Sequence, residues 1–158
     1  MTDFSDKPIA YTAEGRALYD NTATVVSVIL FNVPTREIIT IRRNTSPGKN
    51  LLALPGGFQM RGESWEEAAI REVKEEIGVS LYSPISFKLQ NIITDEYKHN
   101  VLVCSYNVDL NKGDFNINHD EVTEIMPINA LNFEHYVTNW AFPIHMFEAY
   151  KFLQKINN

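Results

Sequence analysis

The sequence predicts an α/β domain in which a mixed β-sheet lies between helices, an α/β/α sandwich. Three features support this fold class. Two apolar, strand-like runs open the chain, an amphipathic helix with marked ends lies in its middle, and further strands and a last helix follow. With 158 residues, of which 44% are hydrophobic and 22% charged, the chain suits one core. We therefore expect a single domain over residues 1–158.

The first part of the chain predicts a β-hairpin. Residues 25–31 form an apolar run rich in β-branched side chains, and residues 37–42 form a second strand. Between them, residues 34–36 (Pro-Thr-Arg) are typical of a turn. Residues 1–22 are mixed in polarity, so they are predicted to form an N-terminal arm or an edge strand.

A helix over residues 65–77 is marked at both ends. Ser64 and Glu67 have the spacing of a capping box, which satisfies free N–H groups of the first turn. Gly78 supplies the left-handed residue that commonly ends a helix. At 100° per residue one side of this helix is apolar and suits packing on a sheet, through Trp65, Ala69, Ile70, Val73 and Ile77.

Three glutamates lie beside this apolar face. Glu72, Glu75 and Glu76 are related as i, i+3 and i+4, so their carboxylates converge. Like charges at this spacing repel, which indicates a cationic partner, and oxygen-only ligands suit Mg²⁺ or Mn²⁺ bridging to phosphate oxygens. The alternative interpretation is a solvated acidic face, moderated by Arg71 and Lys74.

The residues before the helix favour the metal interpretation. An apolar run at 51–54 leads into a predicted short loop with Gly56 and Gly57, and paired glycines let the main chain approach a ligand that a Cβ would keep away. From Gly57 the order is five residues, Glu63, seven residues, Arg71-Glu72, an apolar residue, one residue, Glu75-Glu76, one residue, Gly78 and Val79. These nine defined positions over twenty-three residues resemble the signature of the Nudix hydrolases, without a departure.

The resemblance implies a Nudix-type α/β/α sandwich with a mixed β-sheet, and it implies roles for the matching residues. The implied ligands of Mg²⁺ or Mn²⁺ are Gly56 through its carbonyl, Glu72, Glu75 and Glu76. Glu72 is also the residue implied to activate or orient the attacking water, and Glu75 is assigned to catalysis with it. Glu63 and Arg71 are implied to brace the loop against the helix. The predicted structural residues are therefore Gly57, Glu63, Arg71 and Gly78.

Beyond the helix the pattern predicts two strands, a polar loop, a short strand and a last helix. Residues 85–94 alternate, with Ile85, Phe87, Leu89 and Asn91 facing one way, and residues 100–108 form the next strand. The later segments are predicted as a polar loop at 110–120, a strand at 121–127, a turn of helix at 128–131 and a helix from 142 or 143 to 156. In this last helix Met146, Tyr150 and Leu153 recur at helical spacing, which predicts that they lie in the core.

The family resemblance also implies a ligand or base from an acidic loop outside the signature. Asp120 and Glu121 precede residues 124–127 of the predicted strand and are the leading candidates, with Glu121 assigned to catalysis. Asp95 and Glu96 are the second choice. For each of them, the alternative is an exposed loop acid without a functional role.

The predicted substrate contacts are Arg42, Arg43, Gly57, Phe58 and Tyr97. The two arginines end a strand, where they are expected to meet a terminal phosphate or a partner carboxylate or, in the alternative, only solvent. Aromatic residues near the last helix can stack on a base or pack in the core, namely Tyr136, Trp140 and Phe142.

Two substrate classes compete. Residues 46–49 and 53–58 look similar to ADP-ribose pyrophosphatase-like members, although the proline that marks many of them is replaced here by Asp95. Tyr97, eighteen residues past Val79, resembles instead the tyrosine of dinucleoside polyphosphate hydrolases. The resemblance therefore implies hydrolysis of a nucleoside diphosphate linked to another moiety, first ADP-ribose or a nucleotide sugar, with dinucleoside polyphosphates or nucleoside triphosphates as the alternative.

Composition limits the partners. A formal charge of −6 argues against a general nucleic-acid binder, since phosphate backbones are held by clustered Lys and Arg. No apolar segment predicts a signal peptide or a membrane span, and Cys104, the one cysteine, lies in an apolar run that predicts burial. We expect a cytoplasmic protein with a small-molecule nucleotide substrate. A homodimer is also considered, because dimers are common in the family.

Three classes of function follow from these observations. The first is a metal-dependent diphosphatase. The second is a regulator that senses ADP-ribose. In the family, such regulators carry an added DNA-binding domain and often have an eroded signature. The third is a nucleotide-binding module without turnover. The intact Glu72, Glu75 and Glu76 favour the diphosphatase.

Overall fold

The N-terminal segment forms an arm of its own. The computed structural model describes residues 7–158, so residues 1–6 of the predicted arm lie outside the described part. Strands β1 (Ala10–Tyr11) and β2 (Ala17–Leu18) pair with each other as a separate two-stranded antiparallel sheet. Among the described residues, these two short strands pair with each other and not with the main sheet.

In the described part of the chain, the main sheet has seven strands in the order β5-β4-β3-β8-β7, with β6 paired to β3 and β9 paired to β4. The strands are β3 (Thr24–Asn32), β4 (Glu37–Arg43), β5 (Leu52–Ala53), β6 (Gly56–Phe58), β7 (Lys88–Thr94), β8 (Asn100–Val108) and β9 (Val122–Ile128). Strands β3 and β8 run parallel, whereas the other pairs are antiparallel. The sheet is thus mixed, as predicted.

Strand β3 is the centre of the fold because both of its faces are covered. Val26, Val28 and Leu30 belong to the core on the side of helix α1 (Trp65–Ile77). Ile29 and Phe31, which alternate with them, belong to the core on the side of helix α2 (Pro143–Asn157). A strand buried on both faces reads as a continuous apolar run, which explains the sequence of residues 25–31. The sheet and two helices form the predicted α/β/α sandwich.

Helix α1 has the predicted bounds and caps. The Ser64 hydroxyl accepts the N–H of Glu67, and the Glu67 carboxylate accepts the N–H of Ser64. Gly78 ends the helix with φ of 75° and donates its N–H to the carbonyl of Lys74. A Cβ at Gly78 would lie 2.6 Å from the Cβ of Asn116. The helix end therefore requires glycine for both its backbone angle and its space.

The predicted strand at residues 85–94 is wrong in its first part. Residues Pro84–Ser86 form a 3₁₀ turn, and Ile85 is 94% exposed on it. Phe87 is buried, unlike Ile85 and Leu89, with which it was predicted to share a face, and it precedes strand β7. An irregular register between Leu89 and Asn91 breaks the alternation, because a bulge shifts the following side chains relative to the sheet.

The segment after β9 also departs from the prediction. Ile128 is the last residue of β9, and the helical turn predicted at 128–131 lies instead at Phe133–Tyr136. The side chain of Asn129 accepts the N–H groups of Leu131 and Asn132, which holds this connection in a local turn.

Helix α2 has a more polar core face than the sequence indicated. Leu153 is buried and Met146 is partly buried, but Tyr150 is 46% exposed. The buried face of α2 instead includes His145, Glu148 and Ala149. Within residues 7–158, neither helix has the length and apolar character that crossing a bilayer would need.

We predict that Gly78→Ala lowers the free energy of unfolding by more than about 1 kcal/mol, because alanine must adopt a left-handed conformation and displace Asn116. Urea denaturation of the purified variant measures this change. The matched control is Gly113→Ala, since a Cβ there meets nothing within 4 Å and φ is not positive. Equal free energies of unfolding for Gly78→Ala and Gly113→Ala would contradict the requirement for glycine at position 78.

Candidate active site

A cavity of about 750 Å³ lies between helix α1, strand β6, the turn between β7 and β8, and the start of α2. It is lined by eight of the predicted functional residues, namely Arg43, Gly56, Gly57, Phe58, Glu72, Glu76, Tyr97 and Glu121. Asp95 and Glu96, the second-choice acids, also line it, whereas Arg42, Glu75 and Asp120 do not. The fold thus brings most of these residues to one place from five separate segments.

The two glycines bring the main chain against neighbouring groups. A Cβ at Gly57 would lie 2.6 Å from the carboxylate of Glu72. Gly56 has φ of 153°, and a Cβ there would lie 1.9 Å from the carbonyl oxygen of Val26. The segment predicted as a loop is in fact strand β6, which pairs with Val25 to Ser27 of β3. Main chain and helix carboxylates are therefore in direct contact.

Three hydrogen bonds fix the approach to these glycines. The N–H of Leu54 donates to Nδ1 of His145 at 3.1 Å, and the carbonyl of Pro55 accepts the N–H of Val28 at 2.8 Å. The N–H of Gly56 donates to Oε2 of Glu76 at 3.0 Å. Leu54, Pro55 and Gly56 are thus hydrogen-bonded to α2, β3 and α1, respectively.

Arg71 and Glu63 make the bracing contact that the resemblance implied. Two nitrogens of the Arg71 guanidinium lie 2.7 and 3.1 Å from the Glu63 carboxylate, and the guanidinium also donates to the carbonyl of Phe58. The hydrogen bond with Arg71 lowers the pKa of Glu63, and the same contact raises the pKa of Arg71. Arg71 therefore joins the segment before α1 to the helix surface.

The three helix glutamates are not equivalent. The side chains of Glu72 and Glu76 are buried or nearly so, and both face the cavity. The side chain of Glu75 is 55% exposed and pairs with Arg71 at 3.0 Å. Arg71 also contacts Glu72 at 2.6 Å. In this arrangement one arginine offsets the charge of two of the three carboxylates.

Burial makes the negative forms of the cavity carboxylates costly. It raises the pKa of Glu76 to about 8, with further increases from the nearby charges of Glu72 and Glu121 and an opposing effect from the N–H of Gly56. Burial also raises the pKa of Glu72. The Arg43 guanidinium has a lowered pKa, again through burial, although Glu76 and Glu121 oppose this. The cavity therefore favours an added cation.

This donor set fits Mg²⁺ or Mn²⁺. Glu72, Glu76 and Glu121 offer carboxylate oxygens on one cavity, and Gly56, whose carbonyl is the main-chain ligand that the resemblance implied, also lines it. Within residues 7–158, no three Asp, Glu, His or Cys side chains are already arranged around a common ion position. Arg71 holds Glu72 and the N–H of Gly56 holds Glu76, so an ion would compete with both contacts.

Aromatic rings form another part of the wall. The rings of Phe58 and His99 meet edge to face with centroids 5.2 Å apart, and Tyr97 stacks against His99 at 6.1 Å. Arg43 lies over the ring of Phe142, 5.1 Å from its centroid. Of the aromatic residues near the last helix, Phe142 lines the cavity, while Trp140 is buried against Phe133 in the core.

The structure separates Arg42 from its neighbour Arg43. Because successive side chains of a strand alternate between faces, Arg42 points away and pairs with Glu124 on β9. His99 and His145 are lining residues that the sequence reasoning missed. His99 lies two residues after Tyr97, so the reasoning that selected Tyr97 as a substrate contact could also have selected His99. His145 gave no local signal, because its partners are far away in the chain.

Known sequences match this chain at the level of a family profile and of individual proteins. The NUDIX domain profile matches residues 21–148. The ADP-ribose pyrophosphatase of Methanocaldococcus jannaschii is 51% identical over 43 residues, which are 27% of this chain and 25% of that protein.

Solved structures share the fold. The bifunctional NMN adenylyltransferase/ADP ribose pyrophosphatase of Francisella tularensis, complexed with AMP and Mn ion, is 20% identical with a TM-score of 0.71, covering 90% of this chain and 44% of that one. The NUDIX domain of Shewanella oneidensis NrtR, complexed with ADP ribose, is 16% identical with a TM-score of 0.71, covering 87% and 90%. The match thus spans less than half of the bifunctional protein and a quarter of the Methanocaldococcus relative.

We predict that the metal-free protein loses stability as the pH rises from about 4.5 to about 8. In this window folded Glu76 keeps a proton that the unfolded chain has released, so its contribution falls by up to about 1.4 kcal/mol per pH unit. Glu76→Gln should remove this contribution. Urea unfolding in EDTA at several pH values measures it, with Glu134→Gln, an exposed residue, as control. Identical pH slopes for wild type and Glu76→Gln would contradict the assignment.

Proposed function

This chain belongs to the Nudix family, and from that premise we propose that it hydrolyses a nucleoside diphosphate linked to another moiety in a reaction that needs Mg²⁺ or Mn²⁺. ADP-ribose or a related nucleotide sugar is the proposed substrate. The observation that carries the proposal is the pair of carboxylates formed by Glu76, which is buried, and Glu72, which is partly buried, in contact with the glycine main chain on one cavity.

The chemistry explains why such a site is needed. A diphosphate resists hydrolysis because its negative oxygens repel an incoming hydroxide, so catalysis needs charge neutralisation and an aligned water. When bound, Mg²⁺ or Mn²⁺ supplies the positive charge and lowers the pKa of a water ligand. We propose that Glu72, Glu76, Glu121 and the carbonyl of Gly56 hold the ion. Glu72 also accepts the proton of the attacking water.

Arg43 is proposed to bind a phosphate oxygen of the substrate. Its Nε donates to the carbonyl of Pro47 and its Nη2 to the hydroxyl of Thr45, so the guanidinium is held in place. It lines the same cavity as Glu76 and Glu121. A fixed planar guanidinium recognises phosphate well. Arg42 has a carboxylate partner instead, so we assign it no substrate contact.

Glu75 remains a proposed ligand and catalytic group. Its exposed carboxylate lies outside the cavity, so this role requires it to leave Arg71 and turn toward the ion. When Glu75 leaves Arg71, the ion pair between Arg71 and Glu63 is proposed to keep the segment before α1 in place.

The relatives support the choice of ADP-ribose. One is an ADP-ribose pyrophosphatase and another is a NUDIX domain complexed with ADP ribose. Tyr97 supports a second candidate, a dinucleoside polyphosphate, because its half-exposed ring lines the cavity and could stack on a second base. A nucleotide-binding or regulatory module is the non-enzymatic alternative.

We predict that Glu72→Gln lowers kcat for ADP-ribose at least about 100-fold, because it removes both a charge and a proton acceptor. Chromatography of AMP and ribose 5-phosphate with Mg²⁺ or Mn²⁺ measures turnover. Glu134→Gln, an exposed residue outside the cavity, should keep wild-type activity.

Three results of this assay would contradict the proposal. If a dinucleoside polyphosphate or a nucleoside triphosphate is hydrolysed faster than ADP-ribose, that compound replaces ADP-ribose as the proposed substrate. Full activity of Glu72→Gln would reject the proposed active site. No turnover by the wild type would favour a binding module.

We further predict that Glu75→Gln abolishes turnover and leaves the free energy of unfolding nearly unchanged, because its exposed ion pair contributes less than about 1 kcal/mol. Calorimetric titration with Mn²⁺ should show weaker binding than for the wild type. Unchanged turnover would remove Glu75 from the site and leave Glu72 and Glu76 as its helix ligands.

A further inference from the structure

His145 is a buried histidine that the proposed reaction does not use. It lies in the first turn of α2, is 7% exposed and lines the cavity. Its Nδ1 lies 3.1 Å from the N–H of Leu54, and its Nε2 lies 2.9 Å from the hydroxyl oxygen of Ser27. One imidazole thus connects α2 to β3 and to the segment before β6.

These two contacts determine where the imidazole proton lies. A backbone N–H can only donate, so Nδ1 of His145 must accept and carries no proton. The proton of the neutral ring therefore lies on Nε2, which donates to the Ser27 oxygen. Burial lowers the pKa of His145 to about 3, so the ring is neutral near pH 7. Ser27 consequently acts as the acceptor in this contact.

The hydroxyl hydrogen of Ser27 then needs an acceptor elsewhere. Ser27 is 1% exposed and lines the cavity, and residues 7–158 supply no second hydrogen-bond partner for its side chain. A buried donor left without a partner costs roughly 1–3 kcal/mol. The free hydrogen therefore indicates an acceptor that enters the cavity from outside the protein.

The surroundings of Ser27 are apolar. Val25 lies two residues before it on the same face of β3, and Val101 and Ile93 continue that face on the paired strands β8 and β7. Ile144 of α2 also lines this part. A flat apolar floor with one fixed donor suits a nucleobase, which has apolar faces and acceptor atoms on its edge. A phosphate or a sugar would leave several polar atoms unpartnered there.

We propose that Ser27 donates a hydrogen bond to an acceptor atom of the substrate's nucleobase, and that His145 is the positioning residue that fixes Ser27 as a donor. This nucleobase subsite lies on the α2 face of the sheet, whereas Glu72 and Glu76 project from α1 on the opposite face. The inference rests on the proposed nucleotide substrate and extends it to the recognition of the base.

The test compares the binding of AMP and ribose 5-phosphate to Ser27→Ala by calorimetry in the presence of Mn²⁺. We expect the Kd of AMP to rise about 5- to 10-fold, the value of one hydrogen bond. The Kd of ribose 5-phosphate, which has no base, should stay within about twofold. With ADP-ribose as substrate, KM should rise by a similar factor while kcat stays within about twofold.

Ser105→Ala is the matched control. Ser105 is 4% exposed, and its hydroxyl oxygen accepts a hydrogen bond from Gln90, but it does not line the cavity. Ser27→Ala leaves the buried N–H of His145 without its acceptor, and Ser105→Ala does the same to the partly buried amide of Gln90, so both should lower the melting temperature. Only Ser27→Ala should weaken the binding of AMP.

His145→Asn tests the positioning role separately. The Asn oxygen can still accept the N–H of Leu54, but the side chain is too short to reach Ser27. We expect weaker AMP binding and an unchanged Kd for ribose 5-phosphate. The double variant should bind AMP no more weakly than Ser27→Ala alone, because both changes remove the same contact.

Wild-type AMP affinity in a folded Ser27→Ala protein would overturn the inference. If Ser27→Ala does not fold, wild-type AMP affinity in His145→Asn would overturn it instead. Equal losses for AMP and ribose 5-phosphate would also overturn it, since the base would then not be the group recognised. Failure of the proposed function is distinguishable, because it removes ADP-ribose hydrolysis and leaves the dependence of AMP binding on Ser27 intact.

Discussion

The contact between strand β6 and the carboxylates of α1 is the constraint on which the site depends. Gly57 leaves no room for a Cβ beside Glu72, and Gly56 donates its N–H to Glu76. Two acidic groups are thereby held at a buried surface next to main-chain atoms, where water cannot solvate them fully. Such an arrangement is stable only when neighbouring groups offset the charge or the carboxyls keep a proton. Arg71 does the first for Glu72, and the raised pKa of Glu76 reflects the second.

Much of this could be predicted because the signals are local in sequence. The capping box at Ser64, the closing role of Gly78 and the stripe of glutamates depend on residues within four positions of each other. The contact between Glu63 and Arg71 followed from the family signature. The apolar run at residues 25–31 predicted strand β3, although its burial on both faces appears only in the structure. The bounds of α1 and its carboxylate face were therefore accessible from the sequence alone.

The rest could not be predicted because it depends on distant partners. His145 lies 91 residues from Leu54 and 118 from Ser27, and nothing near it in the chain indicates either contact. The irregular register after Leu89 is a property of the pairing between β7 and β8. The different exposure of Glu75 and Glu76, neighbours in sequence, comes from where β6 covers the helix. The spacing of residues along a helix or strand predicts which face a side chain lies on, whereas its burial and its partners depend on tertiary packing.

Arg71 links the charge of the helix to the position of the segment that precedes it. Its guanidinium contacts the carboxylates of Glu72 and Glu63 and donates to the carbonyl of Phe58. Charge neutralisation on α1 and the position of this segment therefore depend on one side chain, so a change at Arg71 alters both together. Lysine would not be an equivalent replacement, because its single ammonium group lacks the planar set of donors that reaches these separate acceptors.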